Sequence, residues 1–338
     1  MRINWRSTIR VLAVVSAVGI FLVYAMGTVV TNTGSGTGCG RTWPLCDGKF
    51  IPEFAVKTAI EFSHRAVTGV ESVLIFVVAV GALVFWRRRR ELQLLVPLMV
   101  VILLVEAVLG GIIAVNPKSP VVLALHFGSS LITLASVFLV AVVLRELDGA
   151  DAVRDRPLPR GFAGTVWGLI GLMYLVGYLG AYIDHTGIGL ACPDWPLCQG
   201  AVVPSLTGAA GFARELVLLH RFAALLLVLA TGGLLVWARR LRRGRPDLYR
   251  GSLAALVLLV LQALAGAFLV SSHLSLFARL AHASLIALYF GALSYLALHV
   301  LPRPASVRTP LVRMPTRASP PVAPREGSPS RAPAGTTG

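Results

Sequence analysis

Apolar positions gather into eight runs centred near residues 20, 75, 105, 132, 172, 228, 261 and 288. Each is long enough to cross the roughly 30 Å hydrocarbon layer of a bilayer as a helix. The pattern predicts an all-α polytopic membrane protein, because in hydrocarbon each backbone N–H and C=O has to be satisfied inside its own helix. Composition agrees: the 338 residues are 56% apolar and 14% charged, with a mean hydropathy of +0.77. A water-soluble enzyme is excluded.

The net charge of +16 would suggest nucleic acid in a soluble chain, but here the basic residues follow the gaps between runs. Arg2, Arg6 and Arg10, Arg87 to Arg90, the group from Arg145 to Arg160, the group from Arg239 to Arg250, and the tail from Arg303 to Arg331 put 23 Lys and Arg on one side. Arg41, Lys49, Lys57, Lys118 and Arg214 occupy the alternate gaps. By the positive-inside rule both termini are expected in the cytoplasm of a multi-pass cell (plasma) membrane protein, and nucleic acid loses its support. Ala25-Met26-Gly27 could pass for a signal cleavage site, although cleavage would remove a helix that the second half also has. The tail, 303–338, is rich in Pro, Ser, Arg and Ala and is expected to be disordered, resting on anionic lipid.

All four cysteines, Cys39, Cys46, Cys192 and Cys198, fall in the two long loops on the expected outer, oxidising side. Cys39 with Cys46 and Cys192 with Cys198 is the simplest of three pairings, a zinc site being the rival reading. Such bridges can simply brace loops, and redox exchange stays open for Cys39 and Cys46. The stretch from Thr33 to Cys46 reappears from Thr186 to Cys198, both containing Trp-Pro-Leu-Cys. An internal duplication is therefore expected, two tandem four-helix bundles over 1–150 and 151–302.

His64-Arg65 corresponds to His220-Arg221 at an offset of 156, and His126 to His282 at the same offset. All four histidines are expected at one depth in the outer leaflet. A lone histidine in a span is usually a packing group, but two matched pairs at equal depth suit the axial positions of haem across a four-helix bundle. A metal ion or proton relay is the other reading. Arg65 and Arg221 stand about 100° round the helix from the histidines. They could meet haem propionates or snorkel to the interface, and Arg279 is a weaker propionate candidate. His185, His273 and His299 read as structural.

The halves differ in their carboxylates. Glu61, His64, Thr68 and Glu71 share one helical stripe, whereas their counterparts are Val217, His220, Ala224 and Leu227, and Glu106 corresponds to Gln262. An ionisable group in a span costs about 2.5–3.5 kcal/mol on insertion scales, so three of them in one half point to a haem that reacts there. Glu61 also has a plainer reading as an interfacial helix-start residue.

Together Thr33-Gly-Ser-Gly with Cys39-Gly-Arg-Thr-Trp-Pro-Leu-Cys46, Glu61-Phe-Ser-His64-Arg65, Leu125-His126-Phe127-Gly128, Gly180 to Thr186 with Cys192-Pro-Asp-Trp-Pro-Leu-Cys198, His220-Arg221 and Ala281-His282 resemble the haem A synthase family in its Gram-positive bacterial form. The resemblance runs from about Arg10 to Leu301. It implies eight spans, a resident haem b, and oxidation of the C8 methyl of haem O, through an alcohol and a gem-diol, to the formyl group of haem A for terminal oxidase assembly. It further implies His220 and His282 as haem b ligands, His64 and His126 around the substrate haem, Glu61 as the essential acid, and a Cys39–Cys46 disulfide. Asp184 departs from the family, where relatives often carry Arg. The implied partners are the lipid bilayer, a haem O synthase and an electron acceptor, with a homo-oligomer left open. A di-haem electron-transfer subunit and a transporter built from repeats are the alternative classes; the latter fits poorly, since these repeats are parallel.

Overall fold

The computed structural model describes residues 4–53, 55–116, 119–146 and 156–301. Among them run eight helices: α1 Trp5–Asn32, α2 Val56–Trp86, α3 Arg90–Val115, α4 Pro120–Arg145, α5 Phe162–His185, α6 Gly211–Leu241, α7 Pro246–Ser271 and α8 Leu276–Val300. At 1.5 Å per residue even the shortest is about 36 Å long, enough to cross a bilayer. All eight are also apolar enough to do so, and the all-helical, eight-span expectation is borne out.

Local chemistry sets several of the boundaries. The Ser119 hydroxyl accepts the N–H of Val122 ahead of Pro120, which opens α4. Ser275 caps α8 in the same way through Ala278. A proline also opens α7, where its missing N–H is no loss. Pro97 lies inside α3, a placement that spans tolerate when neighbours satisfy the freed carbonyl.

In the first half, α1 packs on α2, α2 on α3, α3 on α4, and α4 back on α1, which closes a ring. Helices α5 to α8 close a second ring in the same order. The rings join through α1 with α8, α4 with α5, and α4 with α8, so that residues up to Leu301 form one compact unit. Helices α4 and α8 are the inner ones: 67% and 72% of their most apolar stretches are buried, against 17% for α3. Val101, Leu104 and Val108 of α3 are exposed, as a helix facing acyl chains requires. The candidate cleavage site at Ala25 falls inside α1, which packs on α2, α4 and α8. At the end opposite the disulfide loops, the buried Arg245 donates to the Asp247 carboxylate at 2.8 Å, to the His299 carbonyl at 2.8 Å and to the Arg156 carbonyl at 3.4 Å. The expectations for the tail and for the 150/151 boundary lie outside the described residues.

Candidate functional site

His64 stands two turns into α2 and His220 a similar distance into α6, while His126 and His282 each stand six positions beyond the first residue of α4 and α8. Consecutive helices alternate in direction, so these four helices start at the same end of the bundle. Within each half the two imidazoles are near enough to interact electrostatically, His64 with His126 and His282 with His220. Each ring lies against a glycine of the preceding helix. A Cβ on Gly27 would stand 3.4 Å from Nε2 of His64, and one on Gly110 3.7 Å from Cε1 of His126. On Gly180 it would stand 2.8 Å from Cε1 of His220, and on Gly266 3.3 Å from Cε1 of His282.

The polar partners differ between halves. In the first, Glu106 Oε2 lies 3.2 Å from Nδ1 of His126, at an angle that makes the contact electrostatic instead of a hydrogen bond. The same carboxylate accepts the Ser129 and Ser130 hydroxyls. In the second, the Gln262 amide nitrogen lies 3.1 Å from Nε2 of His282, and Nδ1 of both His220 and His282 is buried without a hydrogen-bond partner. Paired imidazoles with unpartnered nitrogens, seated on bare helix backbone, are a donor set that fits a planar iron porphyrin ligated on both faces. Among the described residues no three His, Cys, Asp or Glu side chains gather as a metal-ion site.

Glu61 is buried, 4% exposed, and is not the solvated helix-start residue that one reading of the sequence allowed. Its Oε2 accepts the backbone N–H of Cys39 at 2.8 Å, and its Oε1 accepts Arg65 at 2.5 Å. Arg65 also donates to the carbonyls of Thr42 at 2.8 Å and Leu45 at 3.0 Å, and Thr58 to that of Gly38 at 2.8 Å. The loop closed by the Cys39–Cys46 disulfide is thus held onto the first turns of α2. Glu71, also buried, fits a notch left by Gly19 of α1, where a side chain would run into its carboxylate.

The second loop, closed by Cys192–Cys198, is held by Arg221, which donates to the carbonyls of Leu197 at 2.6 Å and Cys192 at 3.1 Å. Arg65 and Arg221 are thus both bound to loop carbonyls, and any propionate would share a guanidinium already engaged with loop backbone. The N–H groups of Gly200 and Gln199 donate to Asp194 and hold its carboxyl below the usual carboxylate range. Both loops turn through a left-handed pair, Asp47-Gly48 and Gln199-Gly200, beside an isolated antiparallel bridge. With the cysteines paired, zinc has no thiolate ligands among them. Asp184 forms an ion pair with Arg279, which also donates to Asn32 at 2.7 Å and so ties α5, α8 and α1 together. Arg279 is engaged in structure, and Asp184 has a partner that accounts for it.

The glycines facing the histidines form no part of the sequence-derived site. Gly27 and Gly180 stand 153 apart, the offset of Thr33 and Thr186, and Gly110 and Gly266 stand 156 apart, the offset of the histidines. That repetition is the signal that could have found them.

A family model described as cytochrome oxidase assembly protein, COX15-CtaA, matches residues 51–294. Heme A synthase of Bacillus pumilus (strain SAFR-032) is 38% identical over 297 residues, 86% of this chain and 94% of that protein. Heme A synthase of Geobacillus kaustophilus (strain HTA426) is 35% identical over 290 residues, 85% and 89% of the two chains, and that of Exiguobacterium sp. (strain ATCC BAA-1283 / AT1b) is 37% identical over 282 residues, 83% and 89%.

Arg65→Ala removes the charge-assisted bonds that hold the first loop, each worth about 1.5–3 kcal/mol, so reduction of Cys39–Cys46 by a water-soluble phosphine should quicken by about tenfold or more. Cys192–Cys198 should be unaffected. Equal rates in variant and wild type would mean that Arg65 does not hold the loop.

Proposed function

The chain belongs to the COX15-CtaA family of cytochrome oxidase assembly proteins, and from that membership we propose that it is a haem A synthase, an enzyme that oxidises the C8 methyl of haem O to the formyl group of haem A. The observation that carries this reading is the one-sided distribution of carboxylates within the spans. Glu61 and Glu71 share α2 with His64, and Glu106 lies against His126, whereas Val217, Leu227 and Gln262 stand at the matching positions of the second half. Two sites that merely carried electrons would need no such difference.

His220 and His282 would hold the resident haem b, which when bound would supply a one-electron redox centre. Gln262 beside His282 adds no charge there, and the buried aliphatic Val217 and Leu227 keep the surroundings apolar. His64 and His126 flank the substrate, haem O. Glu106, fixed by Ser129 and Ser130, sets a carboxylate 3.2 Å from the His126 ring and so places an acid beside the substrate. Glu61 takes up a proton released from the methyl carbon or from attacking water. Oε1 and Oε2 each keep a second lone pair beside their present donors, Arg65 and the Cys39 N–H. Electrons pass to an acceptor outside the chain, and a haem O synthase is the partner that supplies substrate. The basic residues of the gaps support an orientation with both termini in the cytoplasm and the disulfide loops outside.

Labelling reduced intact cells with an impermeant thiol reagent should modify all four cysteines; modification only after lysis would reverse the orientation. His220→Ala or His282→Ala should abolish the stably bound low-spin haem, whereas His64→Ala or His126→Ala should keep most of that spectrum and lose product. The same spectral loss in all four variants would contradict the division between halves. Glu61→Gln should insert, fold and retain haem b yet lower the haem A to haem O ratio in extracts by about 100-fold, the weight of a positioned proton-transfer group. A wild-type ratio in this variant would remove Glu61 from the chemistry, and a wild-type chain that leaves haem O unchanged with both sites filled would favour the electron-transfer reading.

A further inference from the structure

Glycine inside a helix is less favourable than alanine by about 0.5–1 kcal/mol, so four of them facing four histidines call for a reason. In membrane helices small residues usually let two backbones approach closely. That account does not fit here. The nearest atoms to a Cβ on Gly27, Gly110, Gly180 or Gly266 belong in every case to the facing imidazole. Other helical glycines, Gly69, Gly164, Gly168 and Gly232 among them, face open space.

The four clearances form a series in which Gly180 is the tightest, Gly266 and Gly27 are intermediate and Gly110 is the loosest. At Gly180 and Gly266 a methyl group would stand 2.8 and 3.3 Å from ring atoms, closer than ordinary van der Waals contact. At Gly27 and Gly110 it would stand 3.4 and 3.7 Å away, ordinary contact distances. A free imidazole can turn away from a new methyl group at little cost, but one bonded to iron cannot turn without leaving its axial position.

We infer that Gly180 and Gly266 are positioning residues that lock the His220 and His282 rings in one orientation for a permanently bound haem, while the looser seats at Gly27 and Gly110 let His64 and His126 adjust as substrate enters and product leaves. The inference rests on the proposed division between a resident and a substrate haem. A ring with no room for a methyl group on one side has a single way to face its partner histidine. A ring with a methyl's room to spare can yield when the porphyrin is exchanged.

The test compares Gly180→Ala, Gly266→Ala, Gly27→Ala and Gly110→Ala in the full-length chain. The readouts are membrane abundance, electron paramagnetic resonance of the low-spin haem, and retention of that haem during purification. Gly180→Ala should show displaced low-spin g-values and about 10- to 100-fold weaker haem retention, the range for groups that orient metal-ligating histidines. Gly266→Ala should move the same way by less, and the two first-half variants should leave the resident spectrum as in wild type. If Gly180→Ala does not accumulate, the Gly266→Ala spectrum decides. Unshifted spectra and retention in the second-half variants, or equal shifts in all four, would overturn the inference while a wild-type chain that still makes haem A keeps the proposed function standing. A wild-type chain without a low-spin haem that depends on His220 and His282 would overturn both.

Discussion

The rest of the molecule depends on the contact between an imidazole and the bare backbone of the helix beside it. Lipid chains are as apolar as leucine, so helices in a bilayer associate through close packing and polar contacts, with little hydrophobic drive between them. In each ring the histidine-bearing helices, α2 with α4 and α6 with α8, meet α1, α3, α5 and α7 at a glycine. That leaves room for two aromatic rings inside the bundle without parting its walls. The most buried helices, α4 and α8, carry one histidine of each pair and also make the direct contact between the halves.

Around this shared frame the polar groups separate the two halves. Glu106, with its serine pair, stands behind His126, and the amide Gln262 stands beside His282. Glu61 belongs at once to the loop and to the helix, since one oxygen holds the Cys39 N–H and the other the Arg65 guanidinium. The order of the disulfide loop and the position of the buried acid are therefore one structural fact, and a change in either reaches the other. In the second half Arg221 holds its loop with Val217 standing where the first half has Glu61.

Much of this was legible in the chain. The eight spans follow from hydropathy, because bilayer thickness sets a length that few soluble helices reach, and the matched histidines follow from one offset shared by His64, His220, His126 and His282. The disulfide loops announce themselves through repeated Trp-Pro-Leu-Cys. The bonds that complete the site were not legible, because they join distant positions through loop shape. Glu61 meets Cys39 across 22 positions, Arg221 meets Cys192 across 29, and Arg279 meets Asn32 across 247. A propionate contact for the arginines is a sensible reading of helical angle alone. Loop carbonyls take those guanidinium groups because the disulfide turns fold back over the helix starts, which no local period encodes.

The central claim is that two imidazole pairs on a common frame do different work, one holding a haem permanently and the other exchanging it. The most direct measurement loads the purified chain with haem O as well as its resident haem and then challenges it with excess apomyoglobin as a scavenger, following each haem by chromatography. The account predicts that haem O leaves the first-half site readily while haem b stays with His220 and His282. Release of both at one rate, or retention of both, would contradict it.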